Sequence, residues 1–332
     1  MFVDSLAWMA AASDSPTGLV FRHRTTTRVL WGVLGILLAA QALHEVIGFG
    51  PGLDSFFNVG VFDFLILCSA SICLLRAATI RHLRAAWGLL ALSLVSFGIG
   101  SAVWSIYYAD VQPQPFPTAT DGFWLAYYVL AIGGLVLLAR DRIIGFDLQR
   151  WIDGVAVALI AATPLVGLVL HPMVEEGGQG TTLARVVEFA YPIADILLLG
   201  ALLGIAALTG WRPGRTWLLL GAGLAVFGIA DSISAVQFVD GTFEFGEYNY
   251  LWSAGALLIA YAAWQPDPHP SRPAQLTGWK AIVLPITCQL IAAGIQFYVL
   301  FVAEIPESER VIALLILALV IVQLWVSRPR AR

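Results

Sequence analysis

Ten apolar runs set the terms for what this chain can fold into: 29–48, 56–75, 85–108, 121–139, 151–171, 189–209, 216–238, 248–264, 280–302 and 310–327. A run of about 20 apolar residues crosses roughly 30 Å of hydrocarbon as a helix. The runs are long and uninterrupted, without the ten-residue alternation of a barrel strand, so helices are expected. Of the 332 residues, 59% are hydrophobic and only 12% charged, whereas a soluble domain carries about a quarter charged. That balance excludes an ordinary water-soluble enzyme, a nucleic-acid binder and a disordered protein. The expectation is an all-α polytopic transmembrane helical bundle in the lipid bilayer. Its parts are a cytoplasmic N-terminal segment (1–28), a ten-span membrane domain (29–327) and a short basic tail (328–332). Met1 to Ser15 holds Asp4 and Asp14 and no basic residue. It therefore lacks the positive region of a cleavable signal.

Orientation follows from the basic residues. Arg22, Arg24 and Arg28 precede the first run, and Arg76, Arg81 and Arg84 lie between the second and third. Arg140, Arg142 and Arg150, then Arg212 and Arg215, then Arg272 and Lys280, then Arg328, Arg330 and Arg332 fall on the same side. Together these are 16 of the 18 basic residues. The other side keeps Arg185 and Arg310 and much of the acid, including Asp54, Asp240, Glu244, Glu247 and Glu304. Both termini are expected inside a multi-pass protein of the cytoplasmic membrane.

Each odd-numbered run opens with a tryptophan beside a basic residue: Trp31, Trp87, Trp151, Trp217 and Trp279, spaced by 56, 64, 66 and 62 residues. An indole and a snorkelling cation make good interfacial anchors. The regular spacing also predicts five two-helix hairpins of the same orientation. Even-numbered runs begin with an acid after a turn, at Asp63, Asp121 and Asp195, and the eighth substitutes Tyr248-Asn249-Tyr250. The third and seventh runs share a pattern, Phe97-Gly98-Ile99-Gly100-Ser101 against Phe227-Gly228-Ile229-Ala230-Asp231.

Charges inside spans are costly and so point to function. Glu45 follows Trp31 by fourteen residues and Asp231 follows Trp217 by fourteen, which is roughly 21 Å from the cytoplasmic interface. His44, Asp63, Asp121 and Asp195 approach the same layer, together with aromatic rings: Trp104, Trp124, Tyr127, Tyr128, Tyr191, Tyr250 and Trp252. The functional interpretation is an outward-facing acidic and aromatic pocket, suited to a cationic or amphiphilic ligand or to proton sensing. Its candidates are His44, Glu45, Asp63, Asp121, Asp195, Asp231, Trp104, Trp124, Tyr191 and Tyr250. The plain alternative makes Asp121 and Asp195 helix N-caps, favoured by free amides and the helix dipole. His44 could simply bond a neighbouring carboxylate. Gly200 and Gly204 suggest a close helix contact.

Catalytic chemistry is not expected. No nucleophile–base–acid set, phosphate-cradling glycine loop or His-Glu-x-x-His occurs. Cys68, Cys73 and Cys288 lie in apolar runs without metal-ligand spacing, so they read as small buried residues. No catalytic residue, metal site or cofactor is assigned.

The run from Phe116-Pro117-Thr118-Ala119-Thr120-Asp121 to Tyr127, with Arg150-Trp151-Ile152-Asp153-Gly154, Tyr191-Pro192-Ile193-Ala194-Asp195 and Gly210-Trp211-Arg212-Pro213-Gly214, resembles the polytopic N-terminal region of actinobacterial membrane signalling proteins. There the region precedes GGDEF-type cyclase domains, often with EAL-type phosphodiesterase domains. The resemblance implies a membrane-embedded sensory or regulatory input module. Neither output motif occurs before Arg332, so no cyclase or phosphodiesterase activity is expected. The expected function is an integral membrane sensor acting on a cytoplasmic signalling partner or a second copy. The alternative is a proton-coupled secondary transporter of a small molecule.

Overall fold

A computed structural model describes residues 24–50, 52–109, 111, 115–142, 182–208, 213–240 and 246–266. The fifth, ninth and tenth runs lie outside these residues, as do Trp151, Trp279 and the last segment. The described chain is helical, without a strand. Its helices are α1 (Arg24–Ile47), α2 (Phe62–Thr79), α3 (Arg84–Tyr107), α4 (Ala119–Arg142), α5 (Thr182–Leu208), α6 (Arg215–Asp240) and α7 (Asn249–Ala263). They overlie the other seven apolar runs.

Among the described residues, five helical stretches are long and apolar enough to cross a membrane: Thr27–Ile47, Phe56–Thr79, Arg84–Tyr107, Ala119–Asp141 and Arg215–Ala235. The protein is accordingly a membrane-embedded helical bundle. Large apolar side chains stay on the outer surface, with Ile36 70%, Ile106 72% and Val129 72% exposed. Water would disfavour such a surface and hydrocarbon would not. α7, at 15 residues, is too short to pass the same test.

Two expected helix starts are placed differently. Pro192 does not open a helix, because α5 runs through it from Thr182. Proline in a membrane helix is tolerated where the freed carbonyl finds other partners, and the helix extends upstream through Leu183, Ala184, Val186 and Val187. Asp195 is therefore a mid-helix residue rather than an N-cap. Asp63 likewise follows a π-helical turn, Phe56–Val61, that feeds straight into α2. Asp63 lies in the first turn of α2 with helical backbone before it, whereas no helix precedes the first turn that holds Asp121.

α2, α3, α4, α5, α6 and α7 pack each on the next, and α7 closes back on α2. α1 lies outside this ring, against α7 and the π-helical turn. Phe97 of α3 fills the centre. Its ring meets Phe62 of α2 at 6.4 Å, Tyr127 of α4 at 5.7 Å, Phe227 of α6 at 5.1 Å and Trp252 of α7 at 6.2 Å. Such pairs contribute about 0.5–1.5 kcal/mol each beyond burial.

Small residues bring the helices this close. A Cβ on Gly223 would lie 2.8 Å from the Gly255 carbonyl oxygen, and one on Gly255 2.7 Å from that of Gly223. α6 and α7 therefore cross backbone to backbone, as membrane helices do at small residues. The Trp spacing marks core positions as well as helix starts: Trp87 is 2% and Trp217 5% exposed. They are packing residues, not lipid-facing anchors. Trp31 is half-buried, edge-on to Tyr261 at 5.0 Å. Cys73 is buried and free, and Cys68 is half-buried.

Candidate functional site

The central helices carry the polar side chains into the ring. On α6, Asp231 lies four residues, about one turn, beyond Phe227. Its Oδ2 accepts a hydrogen bond from the Tyr128 hydroxyl of α4 at 2.5 Å. Its Oδ1 accepts from Trp252 Nε1 of α7 at 2.8 Å. Asp195 of α5 is 4% exposed and lies close enough to Asp231 and Tyr128 to interact electrostatically with both. Gly228 makes room for it: a Cβ there would stand 3.4 Å from Asp195 Oδ1. Tyr127 stacks on Phe227 with ring centroids 5.0 Å apart.

Asp121 adjoins this group through α5. Its Oδ2 accepts from the Thr118 backbone N–H at 2.6 Å and the Thr118 hydroxyl at 3.1 Å. The first bond is the acid's half of a capping box, while the Thr118 hydroxyl donates to the same oxygen and the Asp121 N–H bonds the Thr118 carbonyl instead. Its Oδ1 accepts from the Tyr191 hydroxyl at 2.7 Å. Tyr191 in turn meets the Tyr128 ring at 6.3 Å. Asp121 is thus not the N-cap expected of it but a first-turn acid that holds Thr118, and it also ties α4 to α5.

Other candidates fall elsewhere. Glu45 Oε1 accepts from Gln41 Nε2 at 2.9 Å and its Oε2 from the Tyr250 backbone N–H at 3.1 Å. The carboxylate therefore serves the start of α7, and Tyr250 contributes its backbone to the contact. His44 Nδ1 faces the Phe49 carbonyl at 2.7 Å, which can only accept, so this nitrogen carries the proton. His44 Nε2 lies 3.3 Å from Asp54 Oδ1, and the ring stacks on Phe57 at 4.6 Å. This cluster pins the turn after α1. Asp63 Oδ1 is buried and has no hydrogen-bond donor among the described residues. Trp104 and Trp124 pack on each other at 5.8 Å along the seam of α3 and α4. The Trp124 ring covers Gly100, where a Cβ would come within 2.7 Å of it.

The sequence pattern named Asp195 and Asp231 but not the side chains that bind them. Tyr128 and Trp252 stood out only as rings in the same layer. Their roles depend on which helices become neighbours, and periodicity within one helix carries no such signal.

The shared pattern of the third and seventh runs has a spatial counterpart. Phe97 and Phe227 touch each other, and the glycine after each receives the preceding helix. A Cβ on Gly98 would lie 3.3 Å from Ile66 Cγ2 of α2, whereas one on Gly228 meets Asp195 of α5. Position for position, Asp195 stands where Ile66 stands, and Asp231 where Ser101 stands. One half of the ring carries carboxylates where the other carries neutral side chains.

Compared with known proteins, the chain matches no family model, no curated protein and no solved structure.

Proposed function

We propose that this chain is a membrane-embedded sensory or regulatory module whose input site is the group formed by Asp195, Tyr128, Asp231 and Trp252. The single observation that carries the reading is the asymmetry just described. The packing around Phe97 is achieved with Ile66 and Ser101, so the packing around Phe227 does not require two carboxylates. Buried ionisable side chains in a membrane are costly and are kept for a purpose. Each of the two acids lies on a different helix, and Tyr128 belongs to a third. A change at the site therefore alters the relation of α4, α5 and α6, which is what a signal needs if it is to favour one of two packings.

The wider topology belongs to the same reading: ten spans in five hairpins, both termini cytoplasmic, in the cytoplasmic membrane. The short-motif resemblance to input regions of GGDEF-type signalling proteins supports it. The output would pass to a cytoplasmic signalling partner or a second copy of the chain, and no enzymatic activity is proposed.

A second reading, a proton-coupled transporter, is favoured by one observation. Asp195 lies at the middle of the 27-residue α5, and transporter sites lie near the bilayer midplane. Proteoliposomes holding the full chain separate the two. A sensor answers external acidification with a changed spin-label distance between α4 and α6 and no net flux. A transporter moves protons only with a substrate. Absence of both responses would overturn the sensory reading.

A further inference from the structure

The turn that follows α1 has little backbone structure to hold its shape. Gly48, Gly50 and Gly52 take positive φ values of 70°, 71° and 92°, a region that glycine enters freely and that leaves such a segment many alternatives. Backbone hydrogen bonds brace it at two points, from the Gly48 N–H to the His44 carbonyl at 2.7 Å and from the Leu53 N–H to the Gly50 carbonyl at 3.0 Å. The side-chain ties converge on one ring. His44 reaches from α1 to Phe49 within the turn, to Asp54 just beyond it and to Phe57 in the π-helical turn.

Each nitrogen of that ring faces an acceptor. Nδ1 lies 2.7 Å from the Phe49 carbonyl oxygen, and Nε2 lies 3.3 Å from Asp54 Oδ1. A neutral imidazole has a single N–H, and the Phe49 carbonyl takes it. Nε2 would then turn a lone pair towards a carboxylate, acceptor against acceptor. With a second proton on the ring, both nitrogens donate. The face of the ring gives an independent sign. It stacks on Phe57 with centroids 4.6 Å apart and 23° between the planes, and an aromatic face attracts a cation laid over it. Two acceptors and a π face together suit an imidazolium.

Two ionisable groups flank His44. Asp54, ahead of the π-helical turn, is 72% exposed, so the tie it makes is the one that solvent reaches. Glu45, the next residue of α1, turns its carboxylate to Gln41 Nε2 and to the Tyr250 N–H of α7. The Phe49 and Phe57 contacts are uncharged, and they remain whichever protonation state the ring takes. Only the contact with Asp54 depends on the second proton.

We propose that His44 is a proton-operated clasp on the turn after α1: with both nitrogens protonated it fastens Phe49 and Asp54 to the end of the helix, and on losing the Nε2 proton to water it lets Asp54 go. Nδ1 keeps its proton, held by the Phe49 carbonyl. The tie is present at low pH and is lost as the pH rises through the titration of the ring, within the range of about pH 5–8 where imidazole changes charge. In the proposed topology this turn faces outward, so external acidification closes it. The clasp adjoins the proposed input site and rests on that reading for its role in signalling. Glu45 beside it holds the Tyr250 N–H, and Trp252, two residues further on, donates to Asp231.

Nitrogen-15 NMR of the histidine rings, with amide hydrogen exchange on the same samples, tests the clasp on the full chain in nanodiscs across that pH range. The His44 ring, assigned through its own backbone, is expected to carry two protons at low pH and to lose the one on Nε2 at high pH. Over the same change the protection of the Gly48 and Leu53 amides, corrected for the intrinsic exchange rate, is expected to fall by up to about fivefold, the ceiling for an ion pair with one partner in solvent. Asp54→Asn, at an exposed position, is expected to fold and to make that protection independent of pH, because its amide can donate to a neutral Nε2 and its oxygen can accept from a protonated one. A ring that keeps one charge state throughout, a proton lost from Nδ1 instead, or an equal pH-dependent loss of protection in Asp54→Asn would each overturn the proposal. These signals report the turn, not the input site. A clasp that titrates as expected in a protein whose α4–α6 distance ignores pH refutes the sensory reading and leaves the clasp intact.

Discussion

The backbone N–H of Tyr250 donates to Glu45 Oε2 at 3.1 Å, so a residue near the end of the first helix caps the seventh. Tyr248, which precedes α7, has φ 62° and gives no side-chain cap. The carboxylate takes over that duty, satisfying an amide that an N-cap residue would otherwise bind. Glu45→Ala is expected to destabilise the protein by about 1–2 kcal/mol, the usual cost of a lost cap. Glu45→Gln retains an acceptor and is expected to lose less. Reversible unfolding in mixed micelles measures both. Equal losses in the two variants would mean that charge, not capping, is the contribution.

Close approach of α6 and α7 gives a steric test. Gly255→Ala places a methyl within 2.5 Å of the Phe227 ring and 2.7 Å of a carbonyl oxygen. Overpacking of this kind costs about 1–3 kcal/mol. Gly32→Ala, on the open face of α1 with nothing within 4 Å, is expected to be neutral or slightly stabilising, as alanine favours helix. Thermal retention of the monodisperse peak on size exclusion reports the difference.

The helices were legible in the sequence because a membrane span is a matter of length and polarity, and both are local. Their boundaries were less so. The acids at Asp63 and Asp195, with Pro192 close by, imitate helix starts, yet each lies within a helix that apolar residues extend upstream. The alignment of Phe97 with Phe227 did register a real correspondence, since the two rings meet at 5.1 Å. What it could not show was that the pattern brings Asp195 against Gly228. A backbone contact between glycines is made by Gly223 and Gly255, which lie on two different helices, so no spacing along one helix announces it. Glu45 and Asp231 share a distance from their tryptophans but serve different partners, because equal depth does not fix the direction in which a side chain points.

His44 gives a third expectation. Its ring is 4% exposed, whereas Asp54 is 72% exposed. The bond to the Phe49 carbonyl and the stack on Phe57 therefore outweigh the ion pair, because solvent screens the latter. His44→Phe preserves the stack and leaves that carbonyl unpaired, at a cost of about 1–3 kcal/mol. Asp54→Asn is expected to change stability by less than about 1 kcal/mol. Protection of the Gly48 amide, which donates to the His44 carbonyl at 2.7 Å, follows the same order in hydrogen exchange.

The asymmetry between the two halves allows function to be separated from folding in one protein. The triple variant Asp195→Ile, Tyr128→Phe, Asp231→Ser gives α5 and α6 the side chains that α2 and α3 carry at the matching positions. A serine hydroxyl at position 231 can still accept from Trp252 Nε1, and neither acid is left without its partner. Replacing a buried ionic group by apolar residues of similar size is often neutral or stabilising by about 1–4 kcal/mol. The triple variant is therefore expected to insert normally and to unfold no more easily than the parent. It should also lose every response to external pH. Breaking the pair from one side only, with Asp195→Ile alone, leaves Tyr128 and Asp231 bonded to each other and is expected to abolish the response with little loss of stability. Retention of the response in the triple variant would place the input elsewhere, with Asp63 the next buried carboxyl to test. Collapse of the triple variant alone, with Asp195→Ile folded, would assign Asp231 a packing role that Ser101 does not share.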